Sequence, residues 1–159
     1  MKKIILAIVL LINSNYIYAS WSSAISIDPL TDKKVGIAFT KPSPNTKISI
    51  ICKADESPRF AVTWKEPNSA EHITHFQYRV NKEDIVIINV NSVIGNRTTL
   101  SLGSIKSIFK DLIRKNSVIV KGRGSKYETS AIIVNLDKSS VALKTACSWH
   151  PFYKTLFSK

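Results

Sequence analysis

The chain has 159 residues, 23 Lys and Arg against 11 Asp and Glu, and a formal net charge of +12. Its length suits one domain with enough chain to build a hydrophobic core. The positive residues are scattered, with the tightest cluster at Lys121, Arg123 and Lys126, so the basic block that marks a nucleic-acid arm is missing and nucleic acid is not an expected partner.

Lys2 and Lys3 are followed by nine unbroken apolar residues, Ile4 to Ile12, and then by the polar stretch Asn13 to Asn15. Ile17-Tyr18-Ala19 places a small residue where a signal peptidase cuts. A membrane span needs about twenty apolar residues, so the pattern predicts a cleaved signal peptide over residues 1–19. No cysteine follows the apolar run, so a lipid anchor is not expected. Removal of Lys2 and Lys3 leaves 21 basic residues against 11 acidic, a net +10 for a periplasmic chain with no transmembrane segment.

From Ser20 onward the apolar residues alternate. Ile25 and Ile27 share one face before a turn at Asp28-Pro29-Leu30-Thr31-Asp32. Val35, Ile37 and Phe39 share the next, ended by Lys41-Pro42-Ser43-Pro44-Asn45, which cannot continue a sheet. Ile48, Ile50 and Cys52 are expected to face the core together, as are Phe60, Val62 and Trp64, then Phe76, Tyr78 and Val80. Ile85 to Val90 adds a further apolar run. Period-2 patterning punctuated at these intervals predicts a mainly β fold of antiparallel, sandwich-like sheets.

One segment breaks the period. Ile105, Ile108, Phe109, Leu112 and Ile113 draw a single stripe on a helix, opened at Gly103 or Ser104 and stopped near Asn116. Strands are expected again at Ser117–Lys121 and Glu128–Leu136, with a turn at Gly122 to Lys126. Asp137 can cap a short last helix, Lys138 to Ala146, that delivers Cys147. The predicted domain covers residues 20–150, and residues 151–159 read as a tail.

Cys52 and Cys147 are the two cysteines of a chain bound for an oxidising compartment, so an intramolecular disulfide is the default expectation. The remaining chemistry is sparse. His72 and His75, three apart on a strand, point to opposite faces and do not form a metal site. His150 is isolated in sequence. Gly122-Arg123-Gly124-Ser125-Lys126 lacks the spacer and ending of a P-loop. Asn96-Arg97-Thr98 fits a glycosylation sequon by chance, and the carboxylates stand mainly in turns. No catalytic residue, metal ligand or cofactor site is therefore assigned, and the residues marked as important, Cys52, Cys147, Trp64 and Trp149, are structural. Trp64 ends an apolar strand face, and Trp149 stands two residues past Cys147.

The order of motifs resembles the VasI/TagO-like proteins associated with bacterial type VI secretion. The matching elements are Trp21 with Ile27-Asp28-Pro29-Leu30-Thr31-Asp32, the strand ending in Cys52, and Phe60-Ala61-Val62-Thr63-Trp64. They continue with Tyr78-Arg79-Val80, with Ile108-Phe109-Lys110-Asp111-Leu112-Ile113 leading into Val118-Ile119-Val120-Lys121, and with Ala146-Cys147-Ser148-Trp149. The family's Asp-x-Gly after the Tyr-Arg strand is replaced by Asn81-Lys82-Glu83-Asp84. The resemblance implies a non-enzymatic accessory protein with a protein partner in the cell envelope, and it supports pairing Cys52 with Cys147. Two other roles compete with it: an exported inhibitor or immunity protein against a hydrolase, and an envelope-binding module for anionic polymer or lipid.

Overall fold

A computed structural model describes residues 20–64, 73–94, 97–100, 102–124 and 128–157. The predicted leader, His72, Asn96 and the segment 125–127 lie outside the described residues. Strands β1 (Ser22–Ile27), β2 (Lys34–Ser43), β3 (Thr46–Lys53) and β4 (Arg59–Trp64) form an antiparallel meander. Strands β5 (Ile73–Val80), β6 (Val86–Ile94) and β7 (Arg97–Leu100) follow. Helix α1 (Leu102–Arg114) leads to β8 (Ser117–Gly124) and β9 (Ile132–Asn135), and helices α2 (Ser139–Cys147) and α3 (Pro151–Phe157) close the chain.

The hydrogen-bonded strand order is β1-β2-β3-β4-β7-β6-β5-β8-β9, with every pairing antiparallel. Strand β6 makes the corner. Its first half pairs with β5, its second half pairs with β7, and the register slips between Val90 and Ser92. A strand that changes partners through such an irregularity lets one sheet fold into two facing layers. Phe60 of β4 meets Phe76 of β5 edge-on across the layers, with ring centroids 5.4 Å apart. The predicted mainly β, sandwich-like class with an amphipathic helix is what the structure has.

The expected inward faces of β3, β4 and β5 are buried: Ile48, Ile50 and Cys52, then Phe60, Val62 and Trp64, then Phe76, Tyr78 and Val80. Strand β2 differs. Its small residues Gly36, Ala38 and Thr40 are buried, while Val35, Ile37 and Phe39 are half-buried on the outer face. The cause is α2, which lies across β1, β2 and β3. A Cβ built on Gly36 would stand 1.8 Å from the carbonyl oxygen of Ala146. Helix backbone therefore occupies the volume that a larger inward side chain would need. Helix α1 packs against α2, and its Ile108 and Leu112 line a void of about 10 Å³ together with Phe60, Phe76 and Val134.

Several local expectations are refined. Helix α1 starts slightly earlier than its apolar stripe. At the start of α2, Lys138 holds the capping position with φ 62° and no side-chain cap bond, so Asp137 does not cap. Gly122 lies within β8 rather than in a turn; a Cβ there would come 2.6 Å from the end of the Ile73 side chain. Its N–H donates to Thr129 Oγ1 at 2.9 Å and its carbonyl accepts from Thr129 N at 3.0 Å. Where a tail is expected after residue 150, α3 places Leu156 in the core and sets Phe152 edge-on to Phe109 at 5.7 Å.

Candidate functional site

The four residues marked from sequence fall at two places. Cys52 of β3 and Cys147 at the end of α2 form a fully buried disulfide with a Cα–Cα distance of 5.7 Å, well inside the range a disulfide spans without strain. Trp149 sits just beyond it; its indole N–H donates to Ala146 O at 2.7 Å, and the Lys34 ammonium stands 5.1 Å over its ring. Trp64 is remote from this cluster and 4% exposed. It lines a groove with Pro42, Thr46, Thr129 and Ile132, and its indole N–H has no partner among the described residues.

His150, isolated in sequence, is buried and fully engaged. Its Nε2 lies 3.1 Å from Lys53 O and 2.9 Å from Glu56 O, and its Nδ1 accepts from the Phe152 N–H at 3.1 Å. Two carbonyl acceptors require a proton on Nε2, and an N–H donor requires a lone pair on Nδ1. These contacts pin the β3–β4 turn to the start of α3. Sequence could not reveal this, because the carbonyls are 97 and 94 residues away.

The other candidate groups make local contacts. His75 is exposed beside Thr74 Oγ1. Arg79 donates to the carbonyls of Glu83 and Lys82 at 2.7 and 3.0 Å, closing its own turn. Lys121 and Arg123 both pair with Glu128, whose carboxyl is held below its ordinary pKa by the hydrogen bond from Lys121. Among the described residues, no three His, Cys, Asp or Glu side chains gather as a metal set.

One polar cluster sits beside the void. Tyr78 Oη lies 2.9 Å from Ser107 Oγ, next to Asp111. Burial raises the phenol of Tyr78 above its usual value, so it stays protonated at neutral pH. Burial likewise raises Asp111, against a lowering from its hydrogen bond with Tyr78. A folded-state pKa above the unfolded one means the native state holds the proton more tightly. The stability this contributes is complete below the ordinary aspartate pKa and is lost as pH rises through the raised value. Asp111→Asn is accordingly expected to melt at a higher temperature than wild type at pH 7. Thermal melts at pH 7 and pH 3 check this, since the difference should shrink in acid.

Strand β1 is exposed along its whole length. All six residues of Ser22–Ile27 are exposed, with Ile25 at 45% and Ile27 at 58%. Among the described residues the strand is one end of the sheet order, and it carries neither charge nor proline. Its register with β2 runs without a break from Ser22 opposite Phe39 to Ile27 opposite Lys34. Proline, charge and bulges are among the devices that blunt an edge, and β1 has none of these three. The opposite edge, β9, is four residues long, and one of its carbonyls, Asn135 O, accepts the Trp21 indole N–H at 2.9 Å.

Charge is uneven around that edge. Strands β1 to β4 and helix α2 contain Lys34, Lys41, Lys47, Lys53, Arg59 and Lys144, and no Asp or Glu. Glu56, in the β3–β4 turn, pairs with Lys53 at 3.5 Å and Arg59 at 2.7 Å. The Lys47 ammonium rests 4.6 Å over the Phe39 ring. An unpaired edge beside half-exposed apolar side chains can accept an added strand through backbone hydrogen bonds.

No family model, curated protein or solved structure matches this chain.

Proposed function

We propose that this is an exported, periplasmic, non-enzymatic accessory protein that works by protein–protein contact at the bacterial cell envelope, in a setting like that of the VasI/TagO-like proteins of type VI secretion. The β1 edge, unpaired among the described residues, carries this reading, because an exposed strand of six residues without charge, proline or bulge is a template for a partner's backbone. The leader-like residues 1–19 and the buried disulfide support an oxidising compartment. Among the described residues, no helix is long and apolar enough to cross a membrane. The motif order from Trp21 to Trp149 supports the secretion-associated setting.

Edge-blocking variants test it. Backbone N–H groups on an edge strand point alternately to the neighbouring strand and to solvent. One of Ser23→Pro and Ala24→Pro therefore places its ring on the open side and leaves the β1–β2 ladder intact. That variant should keep the wild-type melting temperature and lose the partner that wild type captures from periplasmic extract. Full retention of that partner by the stably folded variant would rule out docking at β1.

A further inference from the structure

We infer that the strand docking on β1 is acidic: an extended segment of a partner protein with carboxylates at alternate positions. This rests on the reading of β1 as a docking edge and adds the chemistry of its occupant. Strand β1 is uncharged, and the strands behind it carry lysine and arginine without a carboxylate, while the turns that join them hold Asp28, Asp32, Asp55 and Glu56. Glu56 engages Lys53 and Arg59, while Lys34, Lys41, Lys47 and Lys144 have no carboxylate within ion-pair distance among the described residues. An added strand would lie about 4.8 Å from β1 and about 10 Å from β2. The Debye length at physiological salt is about 8 Å, so only cations carried toward the edge on long side chains act on the added strand.

The two faces of β1 ask for different side chains. Ser22, Ala24 and Ser26 share the face that carries Phe39, over which the Lys47 ammonium is held. Their small side chains leave room for a long carboxylate to lean inward. Ile25 and Ile27 lie on the other face and offer apolar contact. A strand alternating acidic and apolar residues satisfies both faces at once. A second copy of this chain does not, because it would bring the same cations to the same edge.

The test uses oxidised protein purified from cells expressing the full chain. Capped seven-residue peptides alternating valine with glutamate, glutamine or lysine are titrated by calorimetry at low and high salt, while hydrogen exchange follows the β1 amides. The glutamate peptide should bind at least tenfold more tightly than the glutamine peptide, weaken with salt and protect Ser22–Ile27. In the variant Ala24→Glu/Ser26→Glu, changed at exposed positions, the lysine peptide should overtake the glutamate peptide. Equal affinity of the glutamine and glutamate peptides, with β1 protected, would overturn the acidic occupant and leave the docking edge standing. Absence of β1 protection with every peptide would overturn both. Binding to phosphatidylglycerol vesicles as tight as to the glutamate peptide, with β1 unprotected, would assign the cations to a membrane surface and overturn the inference.

Discussion

With Cys52 and Cys147 both replaced by alanine, urea denaturation is expected to give an unfolding free energy lower by about 4–5 kcal/mol. The two residues are 95 apart, so the bridge closes most of the described chain into one loop. Cross-linking so long a loop removes a large part of the unfolded chain's freedom. Domains of this size are stable by only about 5–15 kcal/mol, so the double variant should sit close to its unfolding limit at 37 °C. Alanine is the informative substitution: both sulfurs are fully buried, and serine would add hydroxyls needing partners. Thiol titration of denatured protein should find two reactive groups after reduction and none before. A loss below about 1 kcal/mol would show that the unfolded chain is not the state the bridge constrains.

Gly36→Ala should cost about 3 kcal/mol or more, beyond the ordinary penalty of one extra methyl in a core. The added Cβ would overlap the carbonyl oxygen of Ala146, and backbone cannot rotate away as a side chain can. Either α2 lifts from β2 or the strand bends. Gly36 is also the register partner of Cys52, and Ala146 directly precedes Cys147, so clash and bridge share one joint. Neighbouring changes of this kind do not add. In the cysteine-free background α2 can retreat, and the same glycine substitution should cost clearly less. Denaturation of the four proteins in this cycle measures that coupling; strict additivity would separate the two features.

The elements set by local pattern were legible in the sequence. Period-2 alternation located the inward faces of β3, β4 and β5, and the stripe from Ile105 to Ile113 located α1. The cysteine pair needed only a compartment and a count. What escaped depends on distant chain. Val35, Ile37 and Phe39 form the more hydrophobic row of β2, but α2, a hundred residues later, selects the row of Gly36, Ala38 and Thr40 for the interior. Segment 151–157 is too short to show a helical period, and Leu156 and Phe152 reveal its purpose only by what they touch. The docking edge was illegible for the same reason. The run Ser-Ser-Ala-Ile-Ser-Ile states that β1 is a strand, but its position at the end of the order is a property of all the described strands together.

The late arrival of α2 has a consequence for how the molecule is made. Chain growth at about 5–20 residues per second separates Cys52 from Cys147 by roughly 5–20 s. Throughout that interval, the residues of β1 to β3 lack the helix that packs on them in the finished fold. A message cut short before residue 139 would release a permanently uncovered half, with a bare inner sheet, a lone thiol and an open edge together. Such fragments should be cleared by proteases or collect as aggregates, so the earliest strands depend for their survival on the segment that forms α2.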